Sequence, residues 1–317
     1  MNLTRRTKHR SGLAAVMAVL TVLAAACGSS NPLGGGEISG DLKTIAIGSA
    51  DFTESTIIAE IYAQTLEANG FEITRKFGIG SREAYVPAVQ DHSIDLIPEY
   101  TGSLLQFFDP ETKATDPDSV ELALTRVLPG GLSILTPSAA NDQDTVAVTQ
   151  ETATKWNLKT IADLAAHSPE VKFGAPSEFA DRKEGLPGLE AAYGLKIAPG
   201  NFVAISDGGG PATVRALVEG TITAADIFST SPAIRENNLI PLQDPKNNFL
   251  AANVVPLVAS QKMSDQLKTI LDAVSAKLTT EALIEMNTAT SGNGGVDPEE
   301  AARKWVQDNG FDKPVAG

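Results

Sequence analysis

Residues 80–103 recur, without a gap, at residues 208–231, a shift of 128 positions. Gly80 falls on Gly208, Ala84 on Ala212, Val86 on Val214, Ala88 on Ala216, Ile94 on Ile222 and Ser103 on Ser231. Tyr100 falls on Phe228 and Thr101 on Ser229. Each copy reads as a glycine turn, a helix, a short connection, a strand, and a tip that presents a ring and a hydroxyl. Helix–strand units often share Ala, Val and Ile positions, so six identities in 24 positions carry little alone. The ring matched at the tip carries more. Ligands in open α/β sheets sit at strand ends. Two such units therefore predict two similar lobes whose tips face each other, with Tyr100 and Phe228 on opposite walls of a cleft.

The rest of the chain alternates strand and helix patterns, which is the α/β signature. Residues 43–47 predict a buried strand ending at Gly48-Ser49. Asp51-Phe52-Thr53-Glu54 then reads as a helix start, with Asp51 as cap and Glu54 reaching back. Ile57, Ile58, Ile61, Tyr62 and Leu66 fall on one helical face, and Asn69-Gly70 ends it. Residues 71–77 predict a strand, Pro87 a kink in the next helix, and Ile94–Ile97 a short strand stopped by Pro98. A helix over 120–128 and strands over 132–135 and 145–148 follow, the last two separated by a polar loop at 139–144. Val171-Lys172-Phe173-Gly174 echoes Ile45-Ala46-Ile47-Gly48. Residues 202–206 predict a strand, and Asp207-Gly208-Gly209-Gly210-Pro211 a helix start open to anions. No Gly-Lys-Ser/Thr follows, which argues against a nucleotide loop. A strand over 253–259 and helices over 264–278 and 298–307, the latter capped by Asp297, complete the chain. Two crossings between lobes are natural, near residues 144–148 and 253–257. They give lobe 1 as 41–144 plus 252–317, and lobe 2 as 145–251.

The first 27 residues stand apart. Arg5, Arg6, Lys8 and Arg10 precede an apolar run over 12–26 that is too short for a usual membrane span. Small residues then lead to Cys27, the one cysteine of the chain. This is the form of a bacterial export signal with a lipobox, although Leu23 lies four places before the cysteine rather than three. A plain signal peptide or an N-terminal anchor is the other reading. Residues 28–40, rich in Gly, Ser and Asn, predict a flexible tether. The expected location is the cell membrane, lipid-anchored, facing away from the cytoplasm.

Charge and composition exclude several functions. Setting aside the four basic residues of the leader, 21 basic side chains face 39 acidic ones, a balance of −18. Nucleic-acid binding needs clustered Lys and Arg, so no nucleic-acid partner is expected. One cysteine allows no internal disulfide and no zinc cluster, and no metal or cofactor is expected. An enzyme is not expected either. His92 and His167 are the only histidines beyond the leader, and no serine lies in a Gly-x-Ser-x-Gly elbow. Asp142 and Asp144 suit acid–base work, but a polar hinge loop explains them as well. Of two further tyrosines that could join a ligand site, Tyr62, on the apolar helical face, reads as core, and Tyr85, nearer the glycine turn, is the better candidate; Trp156 and Trp305 read as packing residues.

Gly48-Ser49-Ala50-Asp51-Phe52-Thr53-Glu54, followed by Ile94-Asp95-Leu96-Ile97-Pro98-Glu99-Tyr100-Thr101-Gly102, resembles the substrate-binding proteins of bacterial osmoprotectant ABC importers, which take up glycine betaine, choline, carnitine or proline betaine. Asn157-Leu158-Lys159-Thr160-Ile161-Ala162-Asp163-Leu164, Leu186-Pro187-Gly188-Leu189 and Asp226-Ile227-Phe228-Ser229-Thr230 extend the resemblance over nearly all of 43–312. It implies a two-lobed periplasmic-binding-protein fold of type II with two interlobe crossings. It further implies a monomer working with an ABC permease and ATPase complex. The family cages a quaternary ammonium with tyrosines, a use of cation–π attraction. Here Tyr100 is present, Phe228 replaces a second tyrosine, and Asp144 and Ala252 stand at the other two places. Arg182 stands where some members clamp a carboxylate, with Ser103 as its hydroxyl partner. The motifs also place Ser49, Asp51, Phe52, Thr101 and Thr230 among the ligand-binding residues. Losing two rings predicts weak binding of glycine betaine and choline, and a bulkier, aromatic ligand filling the space at Ala252. A same-fold binding protein for a non-osmolyte, or a sensor module that presents its ligand, is the alternative reading.

Overall fold

The computed structural model describes residues 42–292 and 294–315. The leader, Cys27 and the tether lie outside the described residues. The strands are β1 (Thr44–Gly48), β2 (Glu72–Lys76), β3 (Leu96–Tyr100), β4 (Leu132–Ile134), β5 (Asp144–Thr149), β6 (Phe173–Ala175), β7 (Phe202–Ala204), β8 (Ala224–Phe228), β9 (Leu239–Pro241) and β10 (Val254–Ala259). They form two five-stranded sheets, ordered β2-β1-β3-β10-β4 and β7-β6-β8-β5-β9. The two sheets have one plan. In each, three strands run parallel, a fourth crosses antiparallel from the other half of the chain, and a short fifth strand pairs with that one.

The 128-residue echo is built into this plan. Shifting β3 by 128 positions gives β8, and helix α2 (Arg82–Gln90), which precedes β3, falls on helix Pro211–Val218. Even the packing repeats. A methyl group added at Gly48 would lie 2.6 Å from Ile94 Cδ1, and one added at Gly174 would lie 2.5 Å from Ile222 Cδ1. In both sheets the glycine sits beneath the isoleucine of the next connection, so a methyl there has to displace that side chain.

Each sheet is covered on both faces. Helix α1 (Thr53–Ala68) and the C-terminal helices Asp265–Ser275, Thr280–Thr290 and Pro298–Asp308 close one side of the first sheet, around Ile57, Ile61, Tyr62, Leu271 and Trp305. Helix α2 and helix α3 (Thr101–Phe108) close the other, around Val86, Ile97 and Leu104. Such burial on both faces is why residues 45–47, residues 96–98 and all of β10 read as apolar runs.

Proline does not stop β3, contrary to expectation. Pro98 stands opposite Pro256 of β10. Ala259 N donates to Asp95 O, and Leu135 N to Pro256 O. The 98–256 pair is thus a non-hydrogen-bonded pair of the β3–β10 ladder, so the two prolines remove no bond between these strands. The strand therefore runs on to Tyr100, and α3 starts at once. That helix, and helix Thr280–Thr290, were not foreseen.

Three helix starts also differ from expectation. Phe52, not Asp51, precedes α1, with no side-chain cap; Ser55 Oγ accepts from Ala50 N instead, and Glu54 turns inward. Asp297 precedes its helix but makes no capping bond. The glycine-rich start at 207–211 is not open to anions. Asp207 fills it, accepting from Ala212 N at 2.7 Å, Thr213 N at 3.2 Å and Thr213 Oγ1 at 2.6 Å.

The chain leaves the first sheet after Ile134, enters the second at Asp144, leaves it after Pro241 and returns at Val254. The two crossing segments touch through an antiparallel bridge between Asn141 and Asn253.

Candidate functional site

A cavity of about 180 Å³ lies where the tips of β3 and β8 meet. Five rings line it, Phe52, Tyr85, Tyr100, Phe179 and Phe228, and three of them, Phe52, Tyr100 and Phe228, gather at the tips. Phe52 sits between the other two, 6.1 Å from the Tyr100 centroid and 5.2 Å from that of Phe228, edge-on to the latter. The tips thus do not simply face each other. Phe52, from the turn before α1, bridges them.

Tyr100 is fixed from behind. Its hydroxyl donates to Glu54 Oε1 at 2.8 Å. Glu54 Oε2 accepts from Thr230 Oγ1 and from Asn287 Nδ2, each at 2.6 Å. Asp142 Oδ1 accepts from Thr230 N at 2.9 Å and Ser229 Oγ at 3.1 Å. The second sheet's tip is therefore clasped by three residues packed around the first. Burial raises the Tyr100 phenol well above its usual value, and Glu54 adds to this, so the ring stays a neutral donor. Burial also raises the Asp142 carboxyl, again with help from Glu54, against the two donors from Ser229 and Thr230.

The motif glycine has a steric reason. A Cβ at Gly102 would lie 2.6 Å from Ala251 O and 2.8 Å from Leu250 Cβ. The first turn of α3 lies directly on the returning segment, tied there by Thr101, whose Oγ1 donates to Ala251 O and accepts from Asn253 N.

Charge in the cavity is one-sided. Asp51, Asp142, Asp144, Glu178 and Asp226 line it with two arginines, Arg82 and Arg182. Both arginines are engaged. Arg82 Nε and Nη2 donate to the two oxygens of Glu99 at 2.7 and 3.0 Å, and Tyr85 OH donates to the same carboxylate at 2.8 Å. Arg182 Nε and Nη2 donate to Glu83 at 2.9 and 2.8 Å. What remains is a lining with more acidic side chains than unpaired basic ones, which suits a cation better than an anion.

The sequence-predicted residues divide cleanly. Asp51, Phe52, Tyr100, Ser103, Asp144, Arg182 and Phe228 line the cavity. Ser49, Thr101 and Thr230 do not, because their hydroxyls hold backbone and neighbours. Arg182 is no free carboxylate clamp, since Glu83 fills its fork. Ala252 leaves no space for a bulky ligand. It is 1% exposed within the first sheet's core, and its carbonyl accepts from Asp142 N. Sequence reasoning missed Arg82, Glu178, Phe179, Ser206, Gly208 and Asp226 as lining residues; Tyr85, the better candidate of the two further tyrosines, does line the cavity. Arg82 and Tyr85 stand three apart on α2, and that spacing puts both on one face toward Glu99.

Residues 43–308 match the family described as the substrate binding domain of ABC-type glycine betaine transport systems. The glycine betaine-binding protein YehZ of Escherichia coli is 28% identical over 280 residues, spanning 85% of this chain and 92% of that protein. A glycine-betaine-binding protein of Pseudomonas aeruginosa is 27% identical over 77% of this chain and 81% of its own length. The ergothioneine transport permease/ergothioneine binding protein EgtU of Helicobacter pylori is 27% identical over 77% of this chain, but only 44% of its own length is matched. Among solved structures, a glycine betaine/carnitine/choline ABC transporter protein superposes with a TM-score of 0.66 at 22% identity, over 85% of this chain and 100% of that one. A choline-binding protein solved with choline superposes at 0.64 and 19% identity, over 85% and 89%. The shared plan is the type II periplasmic-binding-protein fold, in which each of two sheets takes one strand from a segment that crosses between them. The chain belongs to the family of substrate-binding domains of ABC-type glycine betaine transport systems, a family of solute binders and not of enzymes.

Proposed function

We propose that this chain is the extracytoplasmic binding protein of an ABC importer, catching a small organic cation between its two sheets and delivering it to the permease and ATPase. The carrying observation is the cavity itself: five rings and five acidic side chains, with both lining arginines already paired to Glu99 and Glu83. Rings attract a cation by their negative faces, and uncompensated carboxylates add to that attraction. Relatives named for glycine betaine, carnitine and choline support the same class of ligand. The working parts would be lobe 1 (41–144 and 252–317) and lobe 2 (145–251), a monomer held at the membrane through a lipid on Cys27. Asp51, Phe52, Tyr100, Ser103, Asp144, Arg182 and Phe228 would touch the ligand; Ser49, Thr101 and Thr230 would hold the walls. Calorimetry of the purified chain with choline, glycine betaine and their less methylated relatives tests this. Saturable binding that Phe228→Ala weakens is the expected result; no binding of any of them would remove the reading.

A further inference from the structure

One carboxylate in the cavity is placed for chemistry that a quaternary ammonium does not offer. Asp226 is 2% exposed, and its Oδ1 has no hydrogen-bond partner among the described residues. Its position follows from the sheet. Asp144 pairs with Phe228, and Val146 with Asp226, in the antiparallel β5–β8 ladder. Residues two apart share a face, so Asp144, Phe228 and Asp226 lie together, with Asp144 and Asp226 as diagonal neighbours. All three line the cavity. Asp144 acts on the Asp226 carboxyl, as befits diagonal neighbours on one face of the ladder.

Two carboxylates side by side have no donor between them unless they hold a proton. A buried acceptor left without a donor is costly. A cation resting on the Phe228 ring reaches this pair. A quaternary ammonium meets it with methyl groups and donates nothing. A protonated amine meets it with N–H, giving a charge-assisted bond to an oxygen that otherwise lacks one.

We propose that the Asp144–Asp226 pair makes this cavity selective for organic cations that carry at least one N–H donor over their fully N-methylated counterparts. This rests on the reading of the cavity as a cation site and narrows it. The ligand class is then a protonated amine or guanidine of small size. The quaternary osmoprotectants become the poorer ligands.

The test uses two matched pairs titrated into the full chain, purified in detergent: N,N-dimethylglycine against glycine betaine, and N,N-dimethylaminoethanol against choline. Within each pair one methyl replaces one N–H, and the nitrogen is positive at neutral pH in both members. The N–H member is expected to bind about tenfold tighter or more. Asp226→Asn should shrink that ratio to about threefold or less, with a melting temperature at or above that of the wild type. Should Asp226→Asn fail to fold, Asp144→Asn, at the less buried position, reads out the same ratio. Equal affinities within both pairs, tighter binding of the quaternary members, or a ratio unchanged in the variants would overturn the proposal and leave the cation site standing. Absence of binding by all four compounds would overturn both.

Discussion

Tyr100 does two things, and they separate experimentally. Its ring faces the cavity, while its hydroxyl holds Glu54, which in turn holds Thr230 across the cleft. Tyr100→Phe keeps the ring and leaves one oxygen of a buried acid without its donor, at a cost of about 1–3 kcal/mol in stability. Ligand affinity should fall less than in Tyr100→Ala, which also removes a cation–π face worth about 0.5–2 kcal/mol. Urea unfolding beside calorimetry measures both; equal affinity losses in the two variants would count against a ring contact. Asp226 carries a pH signature of its own. Burial, then Asp144, holds its carboxyl well above the usual range in the folded chain. A raised acid stabilises the fold fully below its unfolded pKa, about 3.9, and that contribution is lost as pH rises through the folded value. Glu83 runs the other way. Burial opposes its charge, but the hydrogen bonds from Arg182 and Ser81 outweigh this and bring it down to about 2. Its contribution is present above about 4.3 and is lost only as pH falls towards 2. The ligand-free chain should therefore melt highest on the acid side of neutral, and Asp226→Asn should flatten the fall towards pH 7. A melting profile of Asp226→Asn parallel to that of the wild type would contradict this account.

At the scale of elements, glycine positions give the sharpest expectation. Gly48→Ala puts a methyl against Ile94 Cδ1 and Ile79 Cδ1, the free ends of side chains, which can turn aside. The cost should be about 1–2 kcal/mol, partly restored by Ile94→Val. Gly102→Ala meets the Ala251 carbonyl and Leu250 Cβ, which belong to the returning segment and cannot turn. It should cost about 3 kcal/mol and also disturb the Tyr100 tip. Denaturant midpoints for the three variants check the order, and a Gly102→Ala as mild as Gly48→Ala would show that α3 is not seated on that segment. The same elements show what was legible beforehand. The β3–β8 correspondence could be read from sequence because both copies kept glycine, alanine and isoleucine where packing demands them. The passage of β3 through Pro98 could not, because it depends on Pro256, which lies far along the chain and meets it only in the folded ladder. Glu54 looked like a local capping residue because Asp51-x-x-Glu54 has the right spacing. Its real partners, Tyr100, Thr230 and Asn287, come from three distant segments. Ala252 looked like a gap in the cage, yet a small residue is equally a close-packed core position, and only the fold separates the two. Asp226 escaped notice because it sits inside an apolar strand, where alternation gives no hint that one face opens on a cavity.

The whole molecule depends on what joins its two halves. Membrane attachment is the simpler question. If the lone Cys27 carries the anchor, Cys27→Ala should move the chain from the detergent phase to the aqueous phase in Triton X-114 partitioning; a variant that stays in the detergent phase would assign the anchoring to the apolar run. Closure is the richer one. Across the cleft, the Arg182 fork grips Glu83, Lys183 meets Glu111 at 2.6 Å, and Glu54 meets Thr230. These ties are unequal. Lys183 and Glu111 are both largely exposed, so their pair contributes little. Arg182–Glu83 is bidentate and less exposed on the arginine side, so it holds geometry better, although salt still weakens it. Glu54–Thr230 is buried and persists in salt. Arg182→Ala should therefore loosen the rim without breaking the centre. In small-angle scattering the ligand-free variant should have a larger radius of gyration than the wild type. High salt should move the wild type partway in the same direction. A saturating cation should bring both to one compact radius, because a ligand held between the sheets adds contacts that only the closed arrangement makes. Affinity should drop through faster dissociation more than slower association, since the rim pair acts after the ligand has entered. A variant whose radius equals that of the wild type with and without ligand would mean that Arg182 serves only the local charge of the cavity, and that the two sheets are held together by the buried clasp at Thr230.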